Sequence, residues 1–198
     1  MDTENIDSNG FRENVGIILF NSENKLLLAS RIGKKGWQFP QGGIHISESP
    51  EKAMYRELFE EIGLEESDVI IIDKTKEWLK YRLPDQYIRK DSKIYCIGQK
   101  QIWFLLKLNC DEAKISLQKS DNPEFEYYQW VPYWKPVSKV IFFKRQVYNE
   151  VLAEFSRSIF KDKIPDRPKW WPGHWKKDCE REAQKNYYRY KPKNKKYH

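Results

Sequence analysis

The sequence is poor in cysteine and has no long apolar segment. Its three cysteines, Cys96, Cys110 and Cys179, are an odd number at wide spacings, which argues against a disulfide framework and a C-x-x-C metal site. No run of about 18 uncharged apolar residues occurs, so no membrane-spanning helix is expected. The first ten residues are acidic and polar, unlike a secretory signal. We therefore expect a soluble, cytoplasmic protein with reduced thiols and no membrane contact.

Positive charge is concentrated at the C-terminal end. The 198-residue chain has a formal net charge of +7. Residues 163–198 contain twelve Lys and Arg against four Asp and Glu, a net +8, which leaves −1 for everything before them. We predict one domain over residues 10–162, preceded by a flexible N-terminus (1–9) and followed by a basic, aromatic-containing, flexible tail (163–198).

Helix signals are clear at two places. Ser49 is a suitable cap, Pro50 suits the first helical position and Gly63 supplies a stop, so a helix is predicted over Pro50–Ile62. Apolar residues recur at helical spacing within Phe142–Phe160, which predicts a second amphipathic helix.

The remaining regular structure is predicted to be a mixed β-sheet. The turn-forming residues 21–24 separate two apolar runs, so these runs are expected to form a hairpin. The glycine-rich residues 33–43 are predicted to be a loop. Strands rich in β-branched and aromatic residues are predicted over Val15–Phe20, Lys25–Ser30, Val69–Ile72, Glu77–Tyr81, Lys93–Ile97, Gln101–Leu108 and Tyr127–Val131.

Acidic residues are clustered on the first predicted helix. Glu57, Glu60 and Glu61 are spaced to share one face, and Glu48 enters from the preceding loop. Carboxylates this close repel one another unless a hard cation such as Mg²⁺ or Mn²⁺ binds them. Such metals neutralise phosphate charge and activate water for pyrophosphate hydrolysis, and a nearby carboxylate can take the proton. The alternative is a solvated acidic helix face.

The spacing of these residues fits a known pattern, G-x5-E-x7-R-E-U-x-E-E-x-G-U, where U is aliphatic. By it the chain resembles the Nudix hydrolases, which implies an α+β fold with a mixed β-sheet sandwiched between helices, here carrying a basic C-terminal extension. The resemblance also implies a divalent-metal-dependent enzyme acting on phosphoric anhydride bonds. The matched positions are Gly42, Glu48, Arg56-Glu57-Leu58, Glu60-Glu61, Gly63 and Leu64.

The resemblance implies a role for each matched polar residue. Glu57, Glu60 and Glu61 are expected to be the principal metal ligands, with the backbone carbonyl of Gly42 as another. Arg56 is expected to orient the helix carboxylates through ion pairs. Glu48 is expected to support this arrangement without binding the metal.

The pattern from Gly42 to Leu64 is called the box below. The resemblance extends beyond the box to the bacterial RNA pyrophosphohydrolases, and the similarity covers about Gly10 to Phe160. In that group Glu124 matches an additional metal-binding glutamate; its alternative is a solvated loop carboxylate. The segments are Phe11–Gly16, Trp37–Gly43, Ala53–Leu58, Cys96–Phe104, Pro123–Phe125 and Phe143–Tyr148.

The same resemblance implies contacts to RNA. Arg12, Arg31 and Lys144 match positions that hold the phosphates and the RNA end, although they could be ordinary surface charges. Phe143 matches a stacking residue and could sandwich a base against Arg31, or could be a core side chain. The tail could bind RNA through charge and stacking, or could be only a solubilising extension.

Three functions remain open from the sequence. The first is an RNA 5′-pyrophosphohydrolase that converts 5′-triphosphorylated ends to 5′-monophosphates, acts as a monomer and promotes mRNA decay. The second is a dinucleoside polyphosphate hydrolase, which the box cannot distinguish from the first. The third is a non-catalytic Nudix-like module that binds RNA. The third is disfavoured because Glu57, Glu60 and Glu61 are all present.

Overall fold

The computed structural model describes residues 5–33, 36–88 and 96–169. The chain divides into two units after Asp166, and every element named below lies in the first unit. The strands are β1 (Phe11–Phe20), β2 (Leu26–Arg31), β3 (Trp37–Gln38), β4 (Gln41–Gly43), β5 (Val69–Lys74), β6 (Leu79–Arg82), β7 (Gly98–Leu108) and β8 (Phe125–Val131), and the α-helices are α1 (Pro50–Ile62), α2 (Lys135–Lys139) and α3 (Arg145–Phe160).

The strands form one mixed sheet in the order β3-β2-β1-β7-β5. β1 and β7 run parallel at its centre, in a register that extends from Phe11 opposite Gly98 to Phe20 opposite Lys107. The other pairings are antiparallel: β4 is added to β1, β6 to β7 and β8 to β2. The predicted mixed sheet is therefore confirmed.

Helix α1 has the bounds that its sequence signals predict. The Ser49 side chain accepts a hydrogen bond from Lys52 N, and Pro50 occupies the first turn. Gly63 ends the helix in the left-handed conformation, with φ at 72°, where its N–H donates to Phe59 O. A side chain at position 63 would be strained there and would also approach the carbonyl oxygen of Ser116.

Helices pack on both faces of the sheet. On one face, Val15 and Ile17 of β1 share a buried cluster with Met54 and Leu58 of α1. On the other face, the Trp103 ring covers Gly16, where a β-carbon would overlap it. Tyr148 of α3 packs edge-on against Trp103, with ring centres 5.5 Å apart. This arrangement confirms the expected sheet between helices.

Several predicted boundaries differ from the structure. The predicted loop over residues 33–43 contains two short strands, β3 and β4, which pair with β2 and β1. The second predicted helix begins with a 3₁₀ turn, Phe142–Lys144, so α3 starts only at Arg145. Of the predicted strand Lys93–Ile97, residues 93–95 lie outside the described residues, and Cys96 and Ile97 belong to no strand.

The described part of the N-terminus is bonded to the domain. Asn5 N donates to Ile44 O, Glu13 N donates to Asn5 O, and Ile6 forms a bridge with Arg12. The predicted flexible tail lies mostly outside the described residues, since only 163–169 are described. None of the helices in the described ranges is long and apolar enough to cross a bilayer.

Candidate active site

Arg56 forms ion pairs with three carboxylates of the box. Its Nε and Nη2 each donate to one oxygen of Glu48 at 2.9 Å, which is a bidentate pair. Its Nη1 lies 2.6 Å from Glu57 Oε1 and 3.3 Å from Glu60 Oε2, and Nη2 donates to Gly43 O at 2.7 Å. One guanidinium therefore joins α1 to the loop that precedes it and to the end of β4.

These contacts shift the pKa values of both partners. Burial alone would lower the pKa of Arg56, but its hydrogen bonds to Glu48 and Glu57 raise it, so the guanidinium stays charged. The hydrogen bond from Arg56 holds the pKa of Glu48 below its ordinary value. Glu48 is thus ionised and paired with Arg56, which is compatible with the expectation that it supports the site without binding the metal.

Glu57 lies directly against Gly42. Its side chain is largely buried, and a β-carbon at position 42 would overlap its carboxylate. Glycine is therefore the residue that allows the helix carboxylate to approach the β4 backbone. Burial raises the pKa of Glu57, and the ion pair with Arg56 partly opposes this shift.

Glu61 is the most deeply buried carboxylate of the site, with 3% of its surface exposed. One oxygen accepts a 2.7 Å hydrogen bond from Gln41 N, and the other, Oε1, has no partner among the described residues. Burial raises the pKa of Glu61 well above its ordinary value, and the nearby charges of Glu57 and Glu124 add to the shift. A buried carboxylate with an unsatisfied oxygen is costly unless something compensates it.

These observations fit a divalent cation. Glycine at position 42 lets the Glu57 carboxylate lie against the β4 backbone, and Oε1 of Glu61 is buried without a partner among the described residues. The donors are hard carboxylate and carbonyl oxygens, which suit Mg²⁺ or Mn²⁺. Within the described ranges no group of three acidic, His or Cys side chains is arranged to hold a metal ion, and Glu57 and Glu60 both form ion pairs with Arg56.

Glu124 adds another carboxylate near this cluster. It lies just before β8 and forms a 3.0 Å ion pair with Arg31 at the end of β2. Its backbone carbonyl accepts a hydrogen bond from Ile32 N, which fixes the two loops to each other. Its charge contributes to the raised pKa values of Glu57 and Glu61, so the structure brings it near the box glutamates.

Lys144 is a buried cation beside Gln41, the residue before Gly42. Its Nζ lies 2.9 Å from Gln41 Oε1, 3.5 Å from Gln38 Oε1 and 5.6 Å from the ring centre of Tyr81. Burial and the nearby charge of Arg31 lower the pKa of Lys144 to about 7. The charges of Glu61 and Glu124 partly oppose this shift, but no carboxylate of the described residues forms an ion pair with Lys144. Such a buried ammonium is suited to an anionic group brought by a ligand.

Arg12 lies next to the end of β4, and Phe143 precedes Lys144 in the sequence. The Arg12 guanidinium lies over Gly43, where an added β-carbon would approach its Nη2. The Phe143 ring packs against Tyr81, Tyr87 and Phe142. The base sandwich between Phe143 and Arg31 stays a prediction.

Some residues that shape the site carry no motif of their own. Gln41 bonds Glu61 through its backbone and Lys144 through its side chain, but the sequence assigns it no role, although it lies in the matching segment Trp37–Gly43. Tyr148 accepts a hydrogen bond from Phe39 N across 109 residues of sequence. Only the folded chain brings such pairs together.

The sequence of this domain matches a known family. Residues 10–155 match the model of the NUDIX domain, which is more than half of the chain. The chain therefore belongs to the Nudix family of pyrophosphohydrolases, whose members typically depend on a divalent metal.

Within that family, the chain is a homologue of the RNA pyrophosphohydrolases. It is 53% identical over 154 residues to the RNA pyrophosphohydrolase of Yersinia pestis (strain Pestoides F), an alignment that covers 78% of this chain and 88% of the relative. The RNA pyrophosphohydrolase of Yersinia pseudotuberculosis serotype O:1b matches to the same extent. The predicted family and enzyme class are thus confirmed.

Solved structures share the fold at low sequence identity. The dihydroneopterin triphosphate pyrophosphohydrolase of E. coli superposes with a TM-score of 0.57 at 16% identity, covering 72% of this chain and 95% of that one. An Ap4A hydrolase from C. elegans gives a TM-score of 0.53 at 17% identity, covering 72% and 96%. At these identities the likeness concerns the fold alone.

Proposed function

We propose that the protein is an RNA 5′-pyrophosphohydrolase that converts 5′-triphosphorylated RNA to 5′-monophosphorylated RNA and so promotes mRNA decay. The observation that carries this proposal is the placement of cations around Gly42. The guanidinium of Arg12 lies over Gly43, and the ammonium of Lys144 contacts Gln41, and these are the two residues next to Gly42 in the sequence. A triphosphate held between them would lie beside the box carboxylates. The 53% identity to RNA pyrophosphohydrolases supports RNA as its carrier.

Mg²⁺ or Mn²⁺ is the cofactor that we propose. The Gly42 carbonyl and the carboxylates of Glu57, Glu60, Glu61 and Glu124 would hold it. When bound, it neutralises phosphate charge and activates water. Arg56 keeps the helix carboxylates oriented, and Glu48 keeps Arg56 in place.

The reaction is a hydrolysis of one phosphoric anhydride bond. Water adds its oxygen to phosphorus and gives its proton to a box glutamate, while Arg12, Arg31 and Lys144 hold the phosphate oxygens. Cleavage between the α- and β-phosphates leaves a 5′-monophosphate on the RNA and releases pyrophosphate. Stepwise release of single phosphates gives the same RNA product.

The direct test is Mg²⁺-dependent release of phosphate from a 5′-triphosphorylated RNA, with diadenosine polyphosphate assayed beside it. Preferential turnover of the RNA is the expected result. Preferential turnover of the dinucleotide would retain the Nudix chemistry and replace the substrate by the alternative. The monomeric state and the cytoplasmic location stay predictions.

Catalysis itself is tested by Glu57→Gln. This change removes a metal-ligand charge and deletes no core volume, so we expect turnover to fall by about 10³-fold or more while the fold persists. Circular dichroism and thermal unfolding would confirm that the variant is folded. A folded variant with wild-type activity would contradict the proposed site. Wild-type protein that binds RNA but cleaves neither substrate would favour the non-catalytic RNA-binding module.

A further inference from the structure

A row of aromatic rings leads from the candidate active site to the surface. It starts beside Lys144, whose ammonium contacts Gln41 and lies 5.6 Å from the ring centre of Tyr81. The rings of Tyr81 and Phe143 are 5.7 Å apart, and those of Phe143 and Tyr87 are 5.1 Å apart. Tyr81, Phe143 and Tyr87, called the aromatic row below, thus form a continuous series.

Exposure increases along the aromatic row. Tyr81 is buried, and its hydroxyl donates to Gln99, so its polar end is already engaged within the sheet. Phe143 is half-buried. Tyr87 exposes 44% of its surface. The outer ring of the row is therefore accessible to a large ligand.

The position of Tyr87 is set by a tight turn. It ends the 3₁₀ turn Asp85–Tyr87, which follows Pro84, and its N–H donates to Pro84 O at 2.8 Å. Its ring is tilted 57° to that of Phe143. An aromatic side chain held in this way loses little conformational entropy when a ligand packs on it.

We propose that Tyr87 stacks on a base of the RNA substrate downstream of the base that Phe143 holds. This proposal rests on the proposed RNA function. A 5′-triphosphate between Arg12 and Lys144 is anchored at the inner end of the aromatic row, and the rest of the strand must leave towards solvent. Single-stranded RNA is commonly bound by bases that stack on successive aromatic side chains. Tyr87 is the outermost such ring of this row.

The test uses two triphosphorylated RNAs of equal length and charge. One is an ordinary RNA of about eight nucleotides, a length within the usual range for single-strand sites. The other is abasic from the third nucleotide onward. Tyr87→Ala is expected to raise KM about tenfold for the ordinary RNA, since one base stack is lost. It should leave kcat unchanged and have no effect on the abasic RNA. Tyr87→Phe, which keeps the ring, should restore the wild-type KM.

Ile70→Ala is the matched control. Ile70 has the same 44% exposure as Tyr87 but lies away from the aromatic row. Ile70 of β5 lies opposite Lys107 of β7, whereas Tyr81 of the aromatic row lies opposite Gln99 of the same strand. Eight residues of β7 separate these positions, about 26 Å. Thermal unfolding of every variant would show that folding is retained.

Two results would overturn the proposal. An equal loss on both RNAs would mean that Tyr87 only supports Phe143, and an unchanged KM would mean that it contacts no base. Failure of the proposed function looks different, because the wild-type protein would then turn over neither RNA.

Discussion

At the scale of single residues, the burial of Glu61 serves the proposed metal site but lowers the stability of the metal-free protein. The Glu61 carboxylate is buried, with one oxygen bonded to Gln41 N and the other without a partner among the described residues. Its negative charge is unfavourable there in the absence of a cation. The residue therefore destabilises the metal-free protein while it serves the proposed chemistry.

Glu61→Gln tests this cost. Gln removes the charge and keeps an acceptor for Gln41 N, so we expect the unfolding midpoint in EDTA to rise by about 3 °C, or about 1 kcal/mol for a chain of this size. In excess Mg²⁺ the wild-type protein should gain more stability than the variant. Activity should fall by about 10²-fold or more.

Glu60→Gln is the control for that experiment. The Glu60 side chain is 47% exposed, so neutralising it relieves little desolvation and should leave the midpoint in EDTA nearly unchanged. Equal midpoints for the wild type and Glu61→Gln would argue against a destabilising charge at position 61.

The residues of the box could be predicted because they are contiguous in sequence. Glu57, Glu60 and Glu61 lie within two helical turns, and the structure places Glu57 against Gly42, the backbone ligand that the resemblance implies. The roles of Gln41 and Tyr81 could not be predicted in this way. Their contacts with Lys144 span 103 and 63 residues of sequence, and only tertiary packing brings them together.

At the scale of elements, the segment from Phe39 to Gly42 is held from several directions. Ile17 N donates to Pro40 O, Phe39 N donates to the Tyr148 hydroxyl, and Gln41 N donates to Glu61. Helix α3 therefore helps to position the backbone of Gly42, although no α3 side chain is expected to bind the metal. Tyr148 is accordingly a positioning residue.

Tyr148→Phe tests this positioning. The variant keeps the ring that stacks on Phe39 at 4.8 Å and removes the acceptor for Phe39 N. The unpaired N–H should cost about 1–2 kcal/mol of stability. Because the Gly42 backbone then loses one restraint, the Mg²⁺ concentration for half-maximal activity should rise about threefold or more, with a smaller fall in kcat at saturating metal.

Tyr133→Phe provides the matched control. The buried Tyr133 hydroxyl donates to Leu152 O at 2.7 Å, away from the box. Its loss should lower stability by a similar amount without changing the Mg²⁺ requirement. If both variants changed that requirement equally, the effect of Tyr148 would be one of stability alone.

Elements with local signals were predictable, and elements without them were not. Helix α1 carries its start and stop at Ser49, Pro50 and Gly63, and its bounds were predicted to the residue. Strands β3 and β4 are two and three residues long, too short for a hydrophobic period to appear. They exist because β2 and β1 offer backbone partners.

At the scale of the whole molecule, the basic charge and the catalytic residues occupy different parts of the chain. The net +8 lies in residues 163–198, whereas the proposed catalytic residues lie between 42 and 124. Trp134 Nε1 donates to Pro165 O at 2.8 Å, so a truncation that spares the domain should keep residue 165.

Deleting residues 167–198 tests the role of the tail. We expect turnover of a short triphosphorylated RNA to stay within about twofold, because the proposed site is left complete. Affinity for a longer RNA at low salt should fall, and the salt dependence of binding should become shallower, since fewer counterions are released. Identical affinity and salt dependence would show that the tail does not contact RNA.

The parallel pairing of β1 with β7 also affects how the protein is made. Phe11 lies opposite Gly98, so the central pair of the sheet joins positions 87 residues apart. At about 5–20 residues per second, a ribosome needs roughly 5–20 s to synthesise the segment between them. During this interval the apolar part of β1, Val15–Phe20, lacks the β7 strand with which it pairs in the sheet. The nascent chain should therefore depend on chaperones until β7 emerges, and mutations in β7 should reduce the yield of soluble protein more than equally destabilising mutations in α3.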